Sequence, residues 1–208
     1  MQWIVYTVGH STHPLARFSE LLKRHSITAI CDVRSHPYSR MNPQFNREPL
    51  HDALRAEGIS YFFLGKELGA RSDDRSCYRN HQVQYDLLAE TEAFKQGLKR
   101  VQDGAEKYRV ALMCAEKDPL HCHRTILVSR RLAGKGVEIR HILADGAIET
   151  HDQSIDRLLG MLRLPQSDMF RTRDEIVADA YRIQGEAIAY REKTAHTSSA
   201  AHRTEIYG

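Results

Sequence analysis

The stretch Val110-Ala-Leu-Met-Cys-Ala-Glu-Lys-Asp-Pro-Leu-His-Cys-His-Arg124 decides the fold that we predict for this chain. It starts as a short apolar run, which is typical of a buried strand, and continues as a loop of cysteines, acids, histidines and an arginine. A helical pattern follows, with Ile126, Leu127 and Leu132 on one face and Gly134 at its end. In α/β proteins, the loop between a strand and the next helix commonly carries the functional site.

Further apolar runs alternate with helical patterns along the chain, and we interpret each run as a strand. They cover residues 3–8, 29–33, 59–63 and 137–142. This alternation predicts an α/β fold with an open, mostly parallel five-stranded sheet and helices on both faces, a Rossmann-like three-layer sandwich. A C-terminal helix is expected from the spacing of Ile176, Ala180, Ile183 and Ile188.

The regular alternation ends near Pro165, and this sets the predicted domain boundaries. Residues 1–165 are expected to form one α/β domain, and residues 166–193 a C-terminal helical extension. Residues 194–208 have few apolar side chains to bury, so we expect a flexible tail.

The composition argues against several classes of protein. The chain has 208 residues, 41% of them hydrophobic and 27% charged, with a net charge of +3. This mildly basic balance suits an anionic partner without requiring nucleic acid. No apolar run is long enough for a membrane span, no signal peptide is recognisable, and the four cysteines are too few for a disulfide framework. We therefore expect a cytoplasmic protein without a membrane partner; composition says nothing about its oligomeric state.

Polar or small residues follow or end the predicted strands. Because the carboxyl ends of parallel strands meet at one edge, we expect these residues to form one pocket. The candidates for binding an anion or substrate are Gly9, Ser11, Arg34, Ser39, Arg40, Tyr61, Lys66, Cys114, His123 and Arg124, and the catalytic candidates are Glu116, Asp32 and Cys122.

Two of these groups have both a functional and a structural interpretation. Arg34, two residues after Asp32, suits a guanidinium that holds a phosphate or carboxylate and is oriented by the acid. The same pair also suits a buried salt bridge that fixes the loop, and both interpretations are compatible. The turn from Gly9 to Ser11 is either a phosphate-binding turn or an ordinary connection between strand and helix.

The cysteines after the fourth predicted strand have three interpretations. Zinc binding by Cys114, Cys122 and His123 is disfavoured, because structural zinc sites prefer cysteines two to four residues apart and seven residues separate this pair. We therefore expect no metal and no cofactor. A nucleophilic Cys122 would lie near a helix N-terminus, although the arginine of phosphatase and rhodanese loops is replaced by Val128.

In the third interpretation the cysteines are structural, and the acid and the arginine of the loop carry the function. Glu116 then acts as a general acid or base, and Arg124 binds the anion. We favour the structural interpretation for Cys114, while the role of Cys122 stays open between a nucleophile and a structural residue.

Several motifs of this chain occur together in a known family. They are Thr7-Val-Gly-His-Ser11, Asp32-Val-Arg34 with Pro37 and Ser39, Tyr61 through Lys66 with Leu68 and Gly69, Cys114-Ala-Glu116, Cys122-His-Arg124 and His141-Ile142. With them the chain resembles the domain of unknown function 488 family over about residues 3–164. The resemblance implies a cytoplasmic α/β fold and a shared pocket, without a settled reaction. Leu68-Gly-Ala70 stands where many members carry a glycine pair.

The leading hypothesis is an enzyme that acts on a nucleotide or a nucleic-acid component by hydrolytic or glycosidic-bond chemistry. In it, Arg34 and Arg124 hold the anion, Glu116 transfers protons, and Gly9 and Ser11 complete the cradle. One alternative is a non-enzymatic module that binds nucleic acid or a small anionic metabolite. The other is a thiol-dependent enzyme that uses Cys122.

Overall fold

A six-stranded sheet forms the centre of this protein, in a computed structural model that describes residues 3–192. The strands of the chain are β1 (Ile4–Gly9), β2 (Ala29–Asp32), β3 (Ser60–Phe63), β4 (Tyr78–Arg79), β5 (Gln82–Val83), β6 (Val110–Cys114), β7 (Glu138–Ile142) and β8 (Ile148–Thr150). The sheet order is β3-β2-β6-β1-β7-β8, and β4 and β5 form a separate hairpin. All neighbours in the sheet are parallel except β7 and β8.

The predicted α/β class and its five parallel strands are confirmed. The sixth strand, β8, has three residues and pairs antiparallel with β7 after a turn. Gly146 lies in that turn with φ of 90°, a conformation that favours glycine. A strand of three residues is too short to show an alternating pattern, and the sequence analysis therefore missed it.

Helices cover both faces of the sheet. They are α1 (Leu15–Arg24), α2 (Arg47–Ala56), α3 (Gly65–Leu68), α4 (Tyr85–Glu90), α5 (Glu92–Ala105), α6 (Arg130–Ala133), α7 (His151–Met161) and α8 (Arg173–Ile188). The predicted C-terminal helix corresponds to α8. Both α7 and α8 begin with a capping box, in which Thr150 and Thr172 bond the third residue of each helix.

Two apolar cores lie on opposite faces of the sheet because successive side chains of a strand point to opposite sides. In β6, Leu112 and Cys114 belong to the core that includes Phe94 and Leu98 of α5. Met113 belongs to the core with the side chains of α1 and α2. This alternation places the Cys114 thiol on the α5 side of the sheet, at the end of a fully buried strand.

The C-terminal helix packs on the α/β unit through a third apolar cluster, which includes Ile176 and Ala180 of α8. A buried chain of hydrogen bonds runs beside it. Thr7 Oγ1 bonds His141 Nδ1 at 2.8 Å, His141 Nε2 bonds His151 Nδ1 at 3.1 Å, and His151 Nε2 bonds Tyr181 Oη at 2.9 Å. The chain links β1, β7, α7 and α8.

Two further sequence expectations concern the C-terminal tail and membrane-spanning segments. The predicted flexible tail, residues 194–208, lies outside the described residues. Within residues 3–192, none of the helices combines the length and apolar character that a membrane crossing requires.

Candidate functional site

A pocket with a volume of about 270 Å³ opens beside the carboxyl ends of β2 and β6. Side chains from the ends of both strands line it, together with residues that follow α3 and α8. The lining residues are Arg34, Ser35, His36, Ala70, Arg71, Tyr85, Cys114, Ala115, Glu116, His121, His123, Ile188 and Tyr190.

A buried ion pair fixes one wall of this pocket. Arg34 Nη2 donates to Asp32 Oδ2 at 2.6 Å, and Arg34 Nε donates to Asp32 Oδ1 at 2.9 Å. Tyr61 donates its hydroxyl to Asp32 Oδ2 at 2.7 Å. Asp32 is fully buried and Arg34 is 6% exposed, so the carboxylate orients the guanidinium and does not itself reach the pocket.

Arg34 keeps one donor for a ligand. Its Nη2 also donates to the carbonyl oxygen of Phe45 at 2.9 Å, and its Nη1 lies 3.2 Å from His10 Nε2. Burial, above all, lowers the pKa of His10 to about 4, so the ring is neutral. The Nδ1 atom of His10 lies 2.8 Å from the carbonyl oxygen of Ser11, which can only accept a hydrogen bond. The single N–H of the neutral ring is therefore on Nδ1, and Nε2 accepts a hydrogen bond from Arg34. The second Nη1 hydrogen of Arg34 has no partner among residues 3–192.

The loop that carries Glu116 lies directly on the end of β1. A side chain at Gly9 would place its Cβ 1.9 Å from the Glu116 carbonyl oxygen, so only glycine permits this approach. The backbone amides of His10 and Ser11 donate to the carbonyl oxygens of Cys114 and Ala115, both at 2.9 Å. Gly9 and Ser11 thus position the loop and do not line the pocket.

Arg124 holds the same loop from behind. It is fully buried at the start of a π-helical segment, Arg124–Ser129. Its Nη1 donates to the carbonyl oxygen of Glu116 at 2.7 Å, and its Nη2 donates to that of Lys117 at 3.3 Å. No carboxylate pairs with this guanidinium among residues 3–192, and its Nε has no hydrogen-bond partner there. Arg124 therefore supplies a buried positive charge beneath the loop.

Two thiols and an imidazole meet at the floor of the pocket, where Cys114 and His123 line the cavity and Cys122 lies directly behind them. His123 Nδ1 lies 3.7 Å from Cys114 Sγ and 3.9 Å from Cys122 Sγ, and the three atoms are all within 4.8 Å of one another. His123 Nε2 lies 2.9 Å from the carbonyl oxygen of Val33, to which it donates. This group has the donor types and spacing to hold a metal ion.

The acidic groups around His123 influence each other's protonation. Burial would raise the pKa of the Cys122 thiol, but the hydrogen bond from Cys114 and the charge of Arg124 lower it well below its usual range. Burial and the neighbouring Cys122 raise the pKa of Glu116, whose Oε2 lies 2.9 Å from Cys122 Sγ. Burial and Cys122 also raise the pKa of Cys114. In the protein alone, the negative charge is therefore favoured on Cys122.

Arg71 and Tyr190 form the mouth of the pocket. The exposed Arg71 guanidinium lies over the Tyr190 ring, 4.2 Å from its centroid, and has no carboxylate partner among the described residues. Its backbone amide donates to Ser35 Oγ at 3.0 Å. Tyr190 follows α8, so a residue at the far end of the described chain completes a site that is otherwise built at the strand ends.

The structure separates the sequence-predicted residues into three groups. Arg34, Cys114, Glu116 and His123 line the pocket. Behind the lining lie Gly9, Ser11, Asp32, Tyr61, Cys122 and Arg124.

Ser39, Arg40 and Lys66 are not brought to the pocket. Ser39 Oγ accepts from the backbone amides of Met41 and Asn42, both at 3.2 Å, and so closes a turn, while Arg40 and Lys66 are exposed elsewhere.

Other lining residues were absent from the predicted site. Arg71 follows β3 and α3 in a polar segment, so its position after a strand was a usable signal. Tyr85 and Tyr190 carry no local signal, because only the packing of α4 and α8 brings them to the strand ends.

Comparison with known proteins gives one match. The model of the family described as "Domain of unknown function DUF488" matches residues 14–131, which is more than half of the chain. Neither the curated proteins nor the solved structures contain a match. The matched segment includes Asp32, Arg34, Glu116 and the two cysteines of the pocket floor.

Proposed function

This chain belongs to the family described as domain of unknown function DUF488, and from that premise we propose that it is an enzyme acting on a nucleotide or a nucleic-acid component. The pocket holds the anionic group of the substrate, and the reaction is hydrolytic, at a glycosidic or similar bond. One observation carries the proposal: a carboxyl group, two guanidinium groups and two tyrosines line the same cavity.

The arginines support an anionic substrate. Arg34 is held in place by Asp32 and has one N–H group left for a ligand, so its charge is already oriented before binding. Arg71 supplies a second positive charge at the exposed mouth. An oriented guanidinium recognises phosphate or carboxylate oxygens with little loss of conformational entropy.

The aromatic side chains favour a nucleotide over a simple inorganic anion. Tyr85, Tyr190 and the ring of His36 line the cavity. Aromatic rings stack on nucleobases, and each stacked base contributes roughly 1–3 kcal/mol. The volume of about 270 Å³ lies just below the usual range of small-molecule pockets, which favours one nucleotide unit over a longer segment.

Glu116 is the group that we assign to proton transfer. Glu116 lines the pocket, its Oε2 lies 2.9 Å from Cys122 Sγ, and its backbone is held by Gly9 and Arg124. A carboxyl group in this position can take a proton from an attacking water or give one to the leaving group. The thiol-dependent alternative is less favoured, because Cys122 is only 1% exposed and lies behind the lining.

A binding experiment with the purified full-length protein tests the pocket. Calorimetry at low salt should show binding of a nucleoside monophosphate, weaker binding of inorganic phosphate, and loss of affinity as salt is raised. Arg71→Ala should weaken nucleotide binding about tenfold, since a charge-assisted contact is lost. Arg79→Ala is the matched control, because Arg79 is exposed in the β4–β5 hairpin and bonds only nearby carbonyls.

Turnover separates the enzyme from the binding module. Chromatography should detect hydrolysis products from a panel of nucleotides and short oligonucleotides, and Glu116→Gln should abolish them while retaining binding. Absence of binding to any of these probes rejects the proposal. Binding without product over the whole panel rejects the enzyme and supports the non-enzymatic module.

A further inference from the structure

The pocket floor contains a set of atoms that matches tetrahedral metal coordination. Zinc bound at about 2.3 Å by sulfur and about 2.0–2.1 Å by nitrogen holds those ligand atoms about 3.6–3.8 Å apart. The Nδ1 atom of His123 lies 3.7 Å from Cys114 Sγ and 3.9 Å from Cys122 Sγ. These two distances exceed the zinc values by a few tenths of an ångström, and the two Sγ atoms lie within 4.8 Å of each other, so modest movements of the thiols would complete a zinc site. Within residues 3–192, no other group of three such side chains is this close.

The second hydrogen bond of His123 prepares the ring for a metal. Its Nε2 donates to the carbonyl oxygen of Val33 at 2.9 Å, and a carbonyl only accepts. In the neutral ring the proton is thus on Nε2, and the lone pair of Nδ1 points to the two thiols. Histidine ligands of metals almost always make such a bond with the other nitrogen, which fixes the tautomer and the ring orientation.

The surroundings suit two thiolates. The backbone amide of Arg124 donates to Cys122 Sγ at 3.4 Å, and the buried guanidinium adds positive charge nearby. A divalent ion with two thiolates and a neutral imidazole carries no net charge, so its burial avoids the cost of an unpaired ion. Thiolate and imidazole together select zinc over magnesium or calcium.

The position of Glu116 indicates an open rather than a closed site. Structural zinc sites have four protein ligands, whereas catalytic sites have three and keep one position for water or substrate. Cys114, His123 and Glu116 all line the pocket, so the fourth position would face its interior. A zinc ion with one histidine and two cysteines, beside a glutamate that is not a ligand, is the arrangement that nucleobase deaminases use to activate water.

We propose that Cys114, Cys122 and His123 bind a zinc ion at the floor of the pocket, with its open coordination position beside Glu116. The ion would supply an activated water to the hydrolytic reaction. That role rests on the proposed function, whereas the binding of the ion does not. The proposal departs from the expectation based on spacing, because a short turn, Pro119–His121, folds the loop so that the distant cysteines meet.

Metal analysis of protein purified without an affinity tag tests the site directly. Mass spectrometry of the elements should find zinc equimolar with the chain. Replacement by cobalt should give the absorption bands of thiolate-to-cobalt charge transfer and of tetrahedral geometry. Cys114→Ala, Cys122→Ala and His123→Ala should each lose most of the metal. Cys77→Ala, at another buried cysteine, should retain it.

Variants that fail to fold would not obscure the result, because the wild-type protein provides a second measurement. Chelation of the metal should lower its unfolding temperature, and added zinc should restore it. Glu116→Gln should keep the zinc, and loss of metal in that variant would contradict the open position. Wild-type protein without zinc and without cobalt bands, or with a disulfide between Cys114 and Cys122, would overturn the proposal.

The outcomes for zinc and for the nucleotide are independent. Zinc without any nucleotide binding would support the metal site and reject the proposed function. Nucleotide hydrolysis by a metal-free protein would support the proposed function and reject the metal site. Neither measurement uses the other probe.

Discussion

A methyl group on Gly9 would lie 1.9 Å from the carbonyl oxygen of Glu116, so the end of β1 and the loop after β6 are in backbone contact. This contact fixes the position of Glu116 relative to the end of β1. Amide hydrogen bonds from His10 and Ser11 to that loop, both 2.9 Å long, hold it in place. Glu116, which lines the pocket, is thus positioned by Gly9, which does not line it.

Gly9→Ala should therefore destabilise the fold and displace Glu116. We expect a loss of about 1–3 kcal/mol in the free energy of unfolding, since the inserted methyl meets backbone atoms that cannot move independently. Gly160→Ala is the control: it lies in α7 with nothing within 4 Å of the added Cβ, and it should stabilise by up to about 1 kcal/mol. Urea unfolding measures both. Wild-type stability of Gly9→Ala would contradict the close contact.

Asp32→Asn should cost more than Tyr61→Phe. The first change leaves the Arg34 charge buried without its countercharge, for which we expect about 3–5 kcal/mol. The second removes a single hydrogen bond to Asp32 and should cost about 1 kcal/mol. Chemical unfolding of both variants under the same conditions gives the order. Equal costs would mean that the carboxylate is not the main support of Arg34.

Arg124→Lys should loosen the Glu116 loop even though the charge is kept. A lysine cannot donate to the carbonyl oxygens of both Glu116 and Lys117 as the planar guanidinium does. We expect a loss of about 1–3 kcal/mol and weaker nucleotide binding. Arg131→Lys, at a partly exposed ion pair with Asp86, should change stability by less than about 1 kcal/mol. Similar results for the two variants would exclude a special role of Arg124.

Stability should decrease as the pH falls from about 6.5 to about 4. Burial lowers the pKa of His151 from 6.5 to about 4, and burial also lowers that of His141 well below 6.5. In this window the unfolded chain takes up protons that the folded chain does not, so acid favours unfolding. The full shift of His151 corresponds to roughly 3 kcal/mol.

Urea unfolding across this pH range checks the prediction. His151→Phe should flatten the dependence, and His51→Gln, at an exposed histidine, should leave it unchanged. A stability that is constant between neutral pH and pH 4 would contradict neutral burial of the histidine pair.

Local patterns in the sequence determined most of the regular structure. The run from Val110 to Cys114 is apolar at every position because both faces of β6 are covered, and such a run is recognisable without knowing its partners. The edge that carries the site was also predictable, since parallel strands present their carboxyl ends together. Arg34 and Glu116 followed from that rule. The short β8 did not, because its three residues carry no distinct apolar pattern. The helix α7 was also not predicted, although Ile155, Leu158 and Leu162 have helical spacing.

Only the tertiary structure decided which way each side chain faces and which distant residues meet. Arg124 and Arg71 are both arginines in loops or at helix starts, yet one is buried under the loop and the other lies at the pocket mouth over Tyr190. Cys114 and Cys122 meet because the intervening loop turns back, and His123 is oriented by Val33 of another strand end. The sequence by itself determined the five parallel strands, the class of fold and the edge of the site, because these depend on periodic burial. The pocket depends on contacts between segments far apart in the chain, which local periodicity does not encode.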